Sequence, residues 1–293
     1  MKKINHFITN LAPGGTEFQL LEIVKETRNK FRHQIFTLKK SDTNTLKKFK
    51  ELDIKVFNLN IFNPFYFIFY SLKELIRLRG EILCCWLYHG CFIGLLVDFL
   101  LNKNSLMIWN IRSSVTAIGQ APWHRKLTFY LLRKFSKRPK SIIYNSEQSF
   151  AEHNMSGYDN ENQEVIENGV NTERFTIDDS ARNSFCQRYK IDERTFLIGM
   201  SARFHPIKDH FLLIEVAIDL LEKDYDIMII FCGFKTDLLK NQIKNRFKDK
   251  KLDKKILCMG HVDNLNKIYA AMDVHVLTSS SESSSNAVAE AMS

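Results

Sequence analysis

Ser279-Ser280-Ser281-Glu282-Ser283-Ser284-Ser285-Asn286-Ala287-Val288-Ala289-Glu290-Ala291-Met292 follows the apolar run Val274-His275-Val276-Leu277. The two segments read as a strand, a serine-rich turn and a helix opening at Asn286. A polar turn feeding a helix start offers backbone N–H groups and the positive end of the helix dipole, which suits an anion such as phosphate. Glu282 falls in the turn and Glu290 one turn inside the helix, so the two carboxylates flank that cradle and can accept hydrogen bonds from sugar hydroxyls. A capped surface helix with two solvated glutamates fits the same spacing.

Outward from this unit, apolar runs alternate with helical patterns along the whole chain. Strands are expected at Lys3–Thr9, His33–Leu38, Lys55–Leu59, Ile82–Tyr88, Leu106–Ile111 and Ser141–Tyr144. Helices are expected near Glu17–Phe31, Thr43–Glu51, Pro64–Arg79, Phe92–Leu101 and His124–Phe135. After a short strand and turn across Val165–Phe175, a second series follows. Its strands lie near Phe196–Ser201, Asp226–Cys232, Lys255–Met259 and Val274–Leu277, and its helices near Ser180–Tyr189, Asp209–Glu222, Asp237–Phe247 and Leu265–Met272. Such alternation implies parallel sheets with helices on both faces. The expected fold is α/β, in two Rossmann-like doubly wound domains, 1–175 and 176–293. Ligands in open sheets sit beyond the C-terminal strand ends, so the residues there are the candidates for chemistry.

At the first strand end, Pro13-Gly14-Gly15-Thr16-Glu17 lets backbone approach a ligand closely, or serves as a tight turn. It is no dinucleotide fingerprint, because G-x-G-x-x-G is absent. Ser201-Ala202-Arg203-Phe204-His205-Pro206-Ile207-Lys208-Asp209 projects two cations from one loop, suited to a diphosphate leaving group or simply solvated. His89 and Arg112 stand at two further strand ends. Asn168-Gly169-Val170-Asn171 reads as a turn, and Gly260-His261-Val262 as a loop after a strand.

Taken in order, these segments resemble the retaining GT-B glycosyltransferases of family 4 (glycosyl transferases group 1). There an E-x7-E segment usually reads S-x-x-E-G-F-P-N-x-x-x-E-A-M. This chain keeps Ser279, Glu282, Asn286, Glu290, Ala291 and Met292 and has Ser283-Ser284-Ser285 where Gly-Phe-Pro is usual. Arg203 and Lys208 match the family's G-R-x-x-x-x-K, with Ala202 in place of Gly. Asn168–Asn171 matches its N-G-V-D turn. The resemblance implies two domains facing a central cleft, the first on the acceptor side and the second binding a nucleotide-sugar donor. It implies that Arg203 and Lys208 stabilise the departing diphosphate with help from the Ser284, Ser285 and Asn286 amides. Glu290 would hold the ribose diol and Glu282 the donor sugar. Gly14 and Gly15 would lie against diphosphate and acceptor, Gly260 and His261 would border the base, and His89 and Arg112 would be acceptor-side candidates. No obligatory metal is implied. The family continues past the position of Ser293, so a C-terminally truncated second domain is expected.

Composition describes a soluble globular protein rather than a disordered or fibrous one: 293 residues, 45% hydrophobic, mean hydropathy −0.22. The six cysteines (84, 85, 91, 186, 232 and 258) show no zinc spacing and are expected reduced, in a cytosolic protein. Ile82–Leu101 is mostly apolar but contains His89, Gly90, Gly94 and Asp98, so it reads as strand, turn and helix rather than a membrane span. Charge is uneven. Residues 1–175 carry 25 Lys/Arg against 16 Asp/Glu, while 176–293 carry 17 of each, placing the whole excess of +9 in the first half. That points to an acidic partner. Trp123–Arg138, basic and aromatic at helical period, fits either an anionic membrane surface or a core helix with a solvated basic face. Asn63–Tyr70 is a second aromatic cluster. Nucleic acid is not expected, since no known motif organises the charge.

The expected activity is therefore retaining sugar transfer from a nucleotide-sugar donor, UDP-linked, to a glycan or lipid-linked acceptor in cell-surface polysaccharide or lipopolysaccharide synthesis. The expected location is cytoplasmic, peripheral at the inner face of the membrane. The competing expectation is a non-catalytic remnant that binds a donor or membrane without turnover. A GT-B epimerase would need acid/base groups that the sequence does not place.

Overall fold

A computed structural model describes residues 1–60, 63, 72–76, 78, 81–100, 105–119, 121–159, 161–247 and 252–293. They form two compact units, Met1–Asn168 and Gly169–Ser293; the division falls within the Asn-Gly turn, a few residues before the boundary expected at 175.

Unit 1 is built on a seven-stranded sheet: β1 (Lys3–Ile8), β2 (Arg32–Thr37), β3 (Lys55–Asn58), β4 (Ile82–Trp86), β5 (Leu106–Ile111), β6 (Ser141–Tyr144) and β7 (Gln163–Val165). The spatial order is β3-β2-β1-β4-β5-β6-β7, with every pair parallel. Side chains alternate between two cores. Phe7, Phe36 and Cys85 join the larger cluster with Trp109 and Ile142, while their neighbours Ile8, Ile35 and Trp86 join Leu20 and Val24 on the other face. Burial on both faces is why β4 and most of β5 read as apolar runs, whereas β1 and β2 also bury Asn5, His6 and His33.

Unit 2 repeats the scheme with β8 (Phe196–Ser201), β9 (Ile227–Cys232), β10 (Ile256–Cys258) and β11 (Val274–His275), ordered β10-β9-β8-β11 and again all parallel. Ile229 and Phe231 face one core, Ile230 and Cys232 the other.

Three local expectations change. The chain passes from β4 directly into a helix, Leu87–Leu100, through Leu87 at φ +60°, with no intervening turn. His89 is therefore in the first turn of a helix rather than in a loop. Gly90 and Gly94 are packing contacts within that helix, not breaks. A Cβ on Gly90 would lie 2.4 Å from the Phe7 carbonyl oxygen, and one on Gly94 2.1 Å from Cys85 Sγ. A helix at Glu147–Met155, absent from the sequence reading, is capped by Ser146, whose hydroxyl accepts the Ser149 N–H at 3.1 Å. Third, β11 is shorter than the Val274–Leu277 run, although the Val276 N–H still donates to the Gly199 carbonyl. Of the expected helix 64–79, Leu72–Ile76 is described as helix and Leu78 as a turn residue; the aromatic cluster at 63–70 lies almost wholly outside the described residues. All six cysteines are free. Among the described residues no helix is long and apolar enough to cross a membrane, and no group of three or more His, Cys, Asp or Glu could hold a metal ion.

Candidate functional site

In unit 2 the strand order reverses between β8 and β11, which are paired although two β/α units separate them in sequence. Loops leaving such a pair diverge and open a crevice at the strand ends. The loop after β8 carries Arg203 and Lys208; the loop after β11 carries Glu282.

The structure ties these loops together. The Thr278 hydroxyl lies 2.9 Å from the Lys208 carbonyl oxygen and 2.8 Å from that of Asp209. The Ser280 N–H donates to the Ile207 carbonyl at 2.9 Å. Across this seam the Lys208 ammonium pairs with Glu282 Oε1, both side chains about one-quarter exposed. Asp209 turns the chain through φ +43° and caps the helix His210–Glu222, accepting the Leu212 N–H. Arg203 is exposed at the same rim. Burial and then the charges of Arg203 and Lys208 hold His205 below the usual histidine value, so the rim is electropositive.

Beneath the rim lies a polar floor. The Ser201 N–H donates to His275 Nε2 at 3.2 Å, and burial lowers His275 to about 4, keeping it neutral. The Tyr269 ring stands edge-on to His275 at 5.4 Å, and its hydroxyl donates to Glu290 Oε2 at 3.2 Å. Burial raises Glu290 above the ordinary carboxylate value, against the Tyr269 hydrogen bond and the charge of Arg174. Glu290 also lines a cavity of about 230 Å³ with Phe175, Tyr269, Met272 and Ala291. The structure thus brings Glu282 to Lys208 but gives Glu290 a separate partner, Tyr269, which the sequence did not single out.

The serine turn is partly committed to its own helix: the Ser285 hydroxyl accepts the Val288 N–H at 3.3 Å and caps the seven-residue helix Asn286–Met292. Ser284 and Asn286 stand on either side of that cap. Gly260 has φ +70°, its N–H donates to Thr236 Oγ1 at 3.0 Å, and its carbonyl accepts the Gly233 N–H at 2.7 Å. His261 is half exposed, with Nε2 3.5 Å from Asp263 Oδ1. Gly233 was missed. At φ +136°, with a Cβ position only 2.3 Å from the Ala202 carbonyl oxygen, it allows the chain after β9 to lie against the Arg203 loop. The signal was a glycine immediately after a predicted strand.

In unit 1 the order reverses between β1 and β4. Gly14 is the N-cap of the helix Gly15–Thr27, and the Glu17 carboxylate folds back over it, Oε2 lying 2.6 Å from where a Cβ would stand. His89 is depressed by burial and then by Arg125, His124 and Lys39. The Arg112 guanidinium lies 5.4 Å over the Trp86 ring and donates to Asn168 Oδ1; burial lowers it to about 10. Trp86 in turn starts a directed chain. Its Nε1–H donates to His6 Nδ1 at 3.1 Å, which leaves His6 Nε2–H to donate to His33 Nδ1 at 3.0 Å and His33 Nε2–H to meet Thr27 Oγ1 at 3.1 Å.

Two parallel-sheet units with these strand orders and rim residues define a class, the GT-B glycosyltransferase fold. Comparison with known proteins agrees. Residues 182–293 match the family model "Glycosyl transferases group 1". Over 125 residues, 43% of this chain, the sequence is 24% identical to EpsF of Bacillus subtilis (strain 168), which is named as a glycosyltransferase; the match spans 32% of that protein's length. The Anabaena HepE structure in complex with UDP and glucose superposes with a TM-score of 0.83 at 18% identity, covering 100% of this chain and 78% of that one. Sucrose-phosphate synthase from Thermosynechococcus elongatus gives 0.76 at 13% identity, covering 100% and 79%.

Proposed function

We propose that the chain is a retaining glycosyltransferase that moves a sugar from a UDP-linked donor to a hydroxyl of a glycan or lipid-linked acceptor in cell-surface polysaccharide synthesis. The observation that carries this reading is the Lys208–Glu282 pair at the strand-order reversal of unit 2, beside exposed Arg203. Cations fixed at that rim neutralise the charge that grows on a departing diphosphate. Glu282 orients the donor sugar through its hydroxyls, and Glu290, held by Tyr269, accepts from the ribose diol. The sugar–phosphate bond breaks as the acceptor oxygen attacks from the same face, and the leaving phosphate takes the acceptor proton, so no strong base is required. His89 and Arg112 of unit 1 serve the acceptor. The matched family model and the HepE complex with UDP and glucose support a nucleotide-sugar donor.

The test is a thermal-shift screen of the full chain with UDP, GDP and ADP, paired with UDP-sugar hydrolysis. A ligand at 100 times its Kd stabilises by about 2.7 kcal/mol, and UDP is expected to give the largest shift, lost in Arg203→Ala and Lys208→Ala. No response to any nucleotide overturns the proposal. Stabilisation by UDP with no hydrolysis and no transfer supports the non-catalytic binder instead.

A further inference from the structure

The helix Trp123–Lys134 settles which side of a basic, aromatic segment meets the core. Thr128, Phe129 and Leu132 are buried in unit 1, whereas Trp123, Leu127 and Tyr130 are 75%, 50% and 54% exposed. Those three positions, spaced four and then three apart, share one face of the helix. Scattered exposed apolar residues need no explanation, but a contiguous row does. Lys126, Arg133 and Lys134 lie on the same helix, and the Arg133 guanidinium sits 5.4 Å over the Tyr130 ring. Residues 123–140 contain seven Lys/Arg and no Asp/Glu. At the far end of the helix Phe135 meets Phe99, which is 40% exposed, edge to face at 5.6 Å.

An apolar row edged by cations, on the half of the chain that holds all the excess positive charge, complements one kind of surface. Tryptophan, leucine and tyrosine side chains partition into the headgroup–acyl boundary of a bilayer, and ammonium and guanidinium groups meet anionic headgroups beside it. A second copy of this chain fits poorly, because a two-fold contact on this row would bring the cations of one helix against those of the other. We propose that the exposed face of the Trp123–Lys134 helix docks unit 1 onto an anionic lipid surface. The same helix sets His124 6.0 Å from His89, so docking brings the candidate acceptor residue to the membrane. This last step rests on the glycosyl-transfer reading; the docking itself does not.

The protein carries its own reporter. Of its three tryptophans, Trp86 and Trp109 are 1% and 0% exposed, so a change in emission on binding reports Trp123. The full chain is mixed, without nucleotide, with vesicles of phosphatidylcholine alone or with added phosphatidylglycerol. Co-sedimentation and a blue shift of emission are expected only with the anionic vesicles, and both fall as salt rises. Arg133→Glu and Lys134→Glu weaken binding by at least about fivefold each. Leu127→Ser with Tyr130→Ser weakens it by about tenfold or more, with the cooperative unfolding transition retained because both side chains are at least half exposed. Absence of sedimentation at low salt overturns the proposal. Sedimentation with unshifted emission and no effect of the Leu127 and Tyr130 changes also overturns it, assigning binding to another basic surface. So does concentration-dependent dimerisation that shifts Trp123 emission without vesicles.

Discussion

Glu282→Gln separates two roles of the Lys208–Glu282 pair. With both side chains about one-quarter exposed, the pair belongs near the upper end of surface ion pairs, about 1 kcal/mol. On the proposed reaction, that energy opposes diphosphate binding in the unliganded protein, because the ligand would have to take Lys208 from Glu282 and tolerate a carboxylate alongside. Glutamine keeps the shape and removes the charge. UDP is therefore expected to bind Glu282→Gln about fivefold more tightly, measured by calorimetry at low salt. Sugar transfer moves the opposite way. Losing a charged acceptor for a sugar hydroxyl costs about 1.5–3 kcal/mol, a fall of roughly 10- to 150-fold in kcat/KM for the UDP-sugar. Loop geometry is retained, because Thr278 and Ser280 still bind the Ile207–Asp209 segment. Weaker or unchanged UDP affinity in Glu282→Gln, with a lowered Tm, refutes the reasoning and makes the pair a staple between loops.

Three further outcomes follow from the geometry. Gly90→Ala forces a methyl into the Phe7 carbonyl at 2.4 Å, which backbone cannot easily yield; a loss of at least about 1–3 kcal/mol is expected by urea denaturation, and a neutral result contradicts the close approach. Burial, then the neighbouring His33, holds His6 at about 3, below its unfolded value of 6.5. Its contribution to stability is complete above the unfolded value and is lost as pH falls toward 3, by up to about 1.4 kcal/mol per pH unit; denaturation midpoints that stay flat from pH 7 to 4 would count against the neutral Trp86–His6–His33 chain. Burial raises Glu290, so its ionisation costs stability as pH rises through its native value. Glu290→Gln is expected to raise Tm by a few degrees at pH 7 but not below pH 4, while weakening UDP; a lower Tm at pH 7 rejects this.

What the sequence made legible follows from what each element buries. Leu106–Ile111, Ser141–Tyr144 and Phe196–Ser201 were read at the ends the structure gives them, because strands buried on both faces are continuous apolar runs bounded by polar residues. The helix Glu147–Met155 was invisible to the same reasoning. Two of the residues it turns inward are polar, Ser149 and His153, the latter hydrogen-bonded to the Tyr88 hydroxyl at 2.8 Å. Glycines 90 and 94 suggested a break, but glycine equally marks the place where a helix lies on backbone, and only the neighbouring strand decides between the two. At the site, the residue types of Arg203, Lys208 and Glu282 were readable from strand-end position. Their pairing was not, since it depends on hydrogen bonds between loops some 70 residues apart. The partnership of Glu290 with Tyr269 depends on a helix that carried no polar motif.

Both sheets handle their order reversal in a similar way, and this bears on how substitutions will behave. Gly90 lets the helix after β4 rest on the Phe7 backbone of β1, and Gly199 of β8 lets Met272 enter beside it, its Sδ only 2.0 Å from where a Cβ would stand. Loops leaving a reversal diverge, so the packing below the opening must be close, and an absent Cβ allows this without a polar group. The layer under each opening is therefore close-packed and intolerant of added volume. In unit 2 the layer above is different: Thr278 and Ser280 join the loops through a few hydrogen bonds, and the charged partners lie partly in solvent. Such contacts open at small cost, so any rearrangement on ligand binding is expected in the rim. Changes at Gly90 or Gly199 should then register chiefly in denaturation midpoints, and changes at Arg203, Lys208 or Glu282 chiefly in ligand affinity.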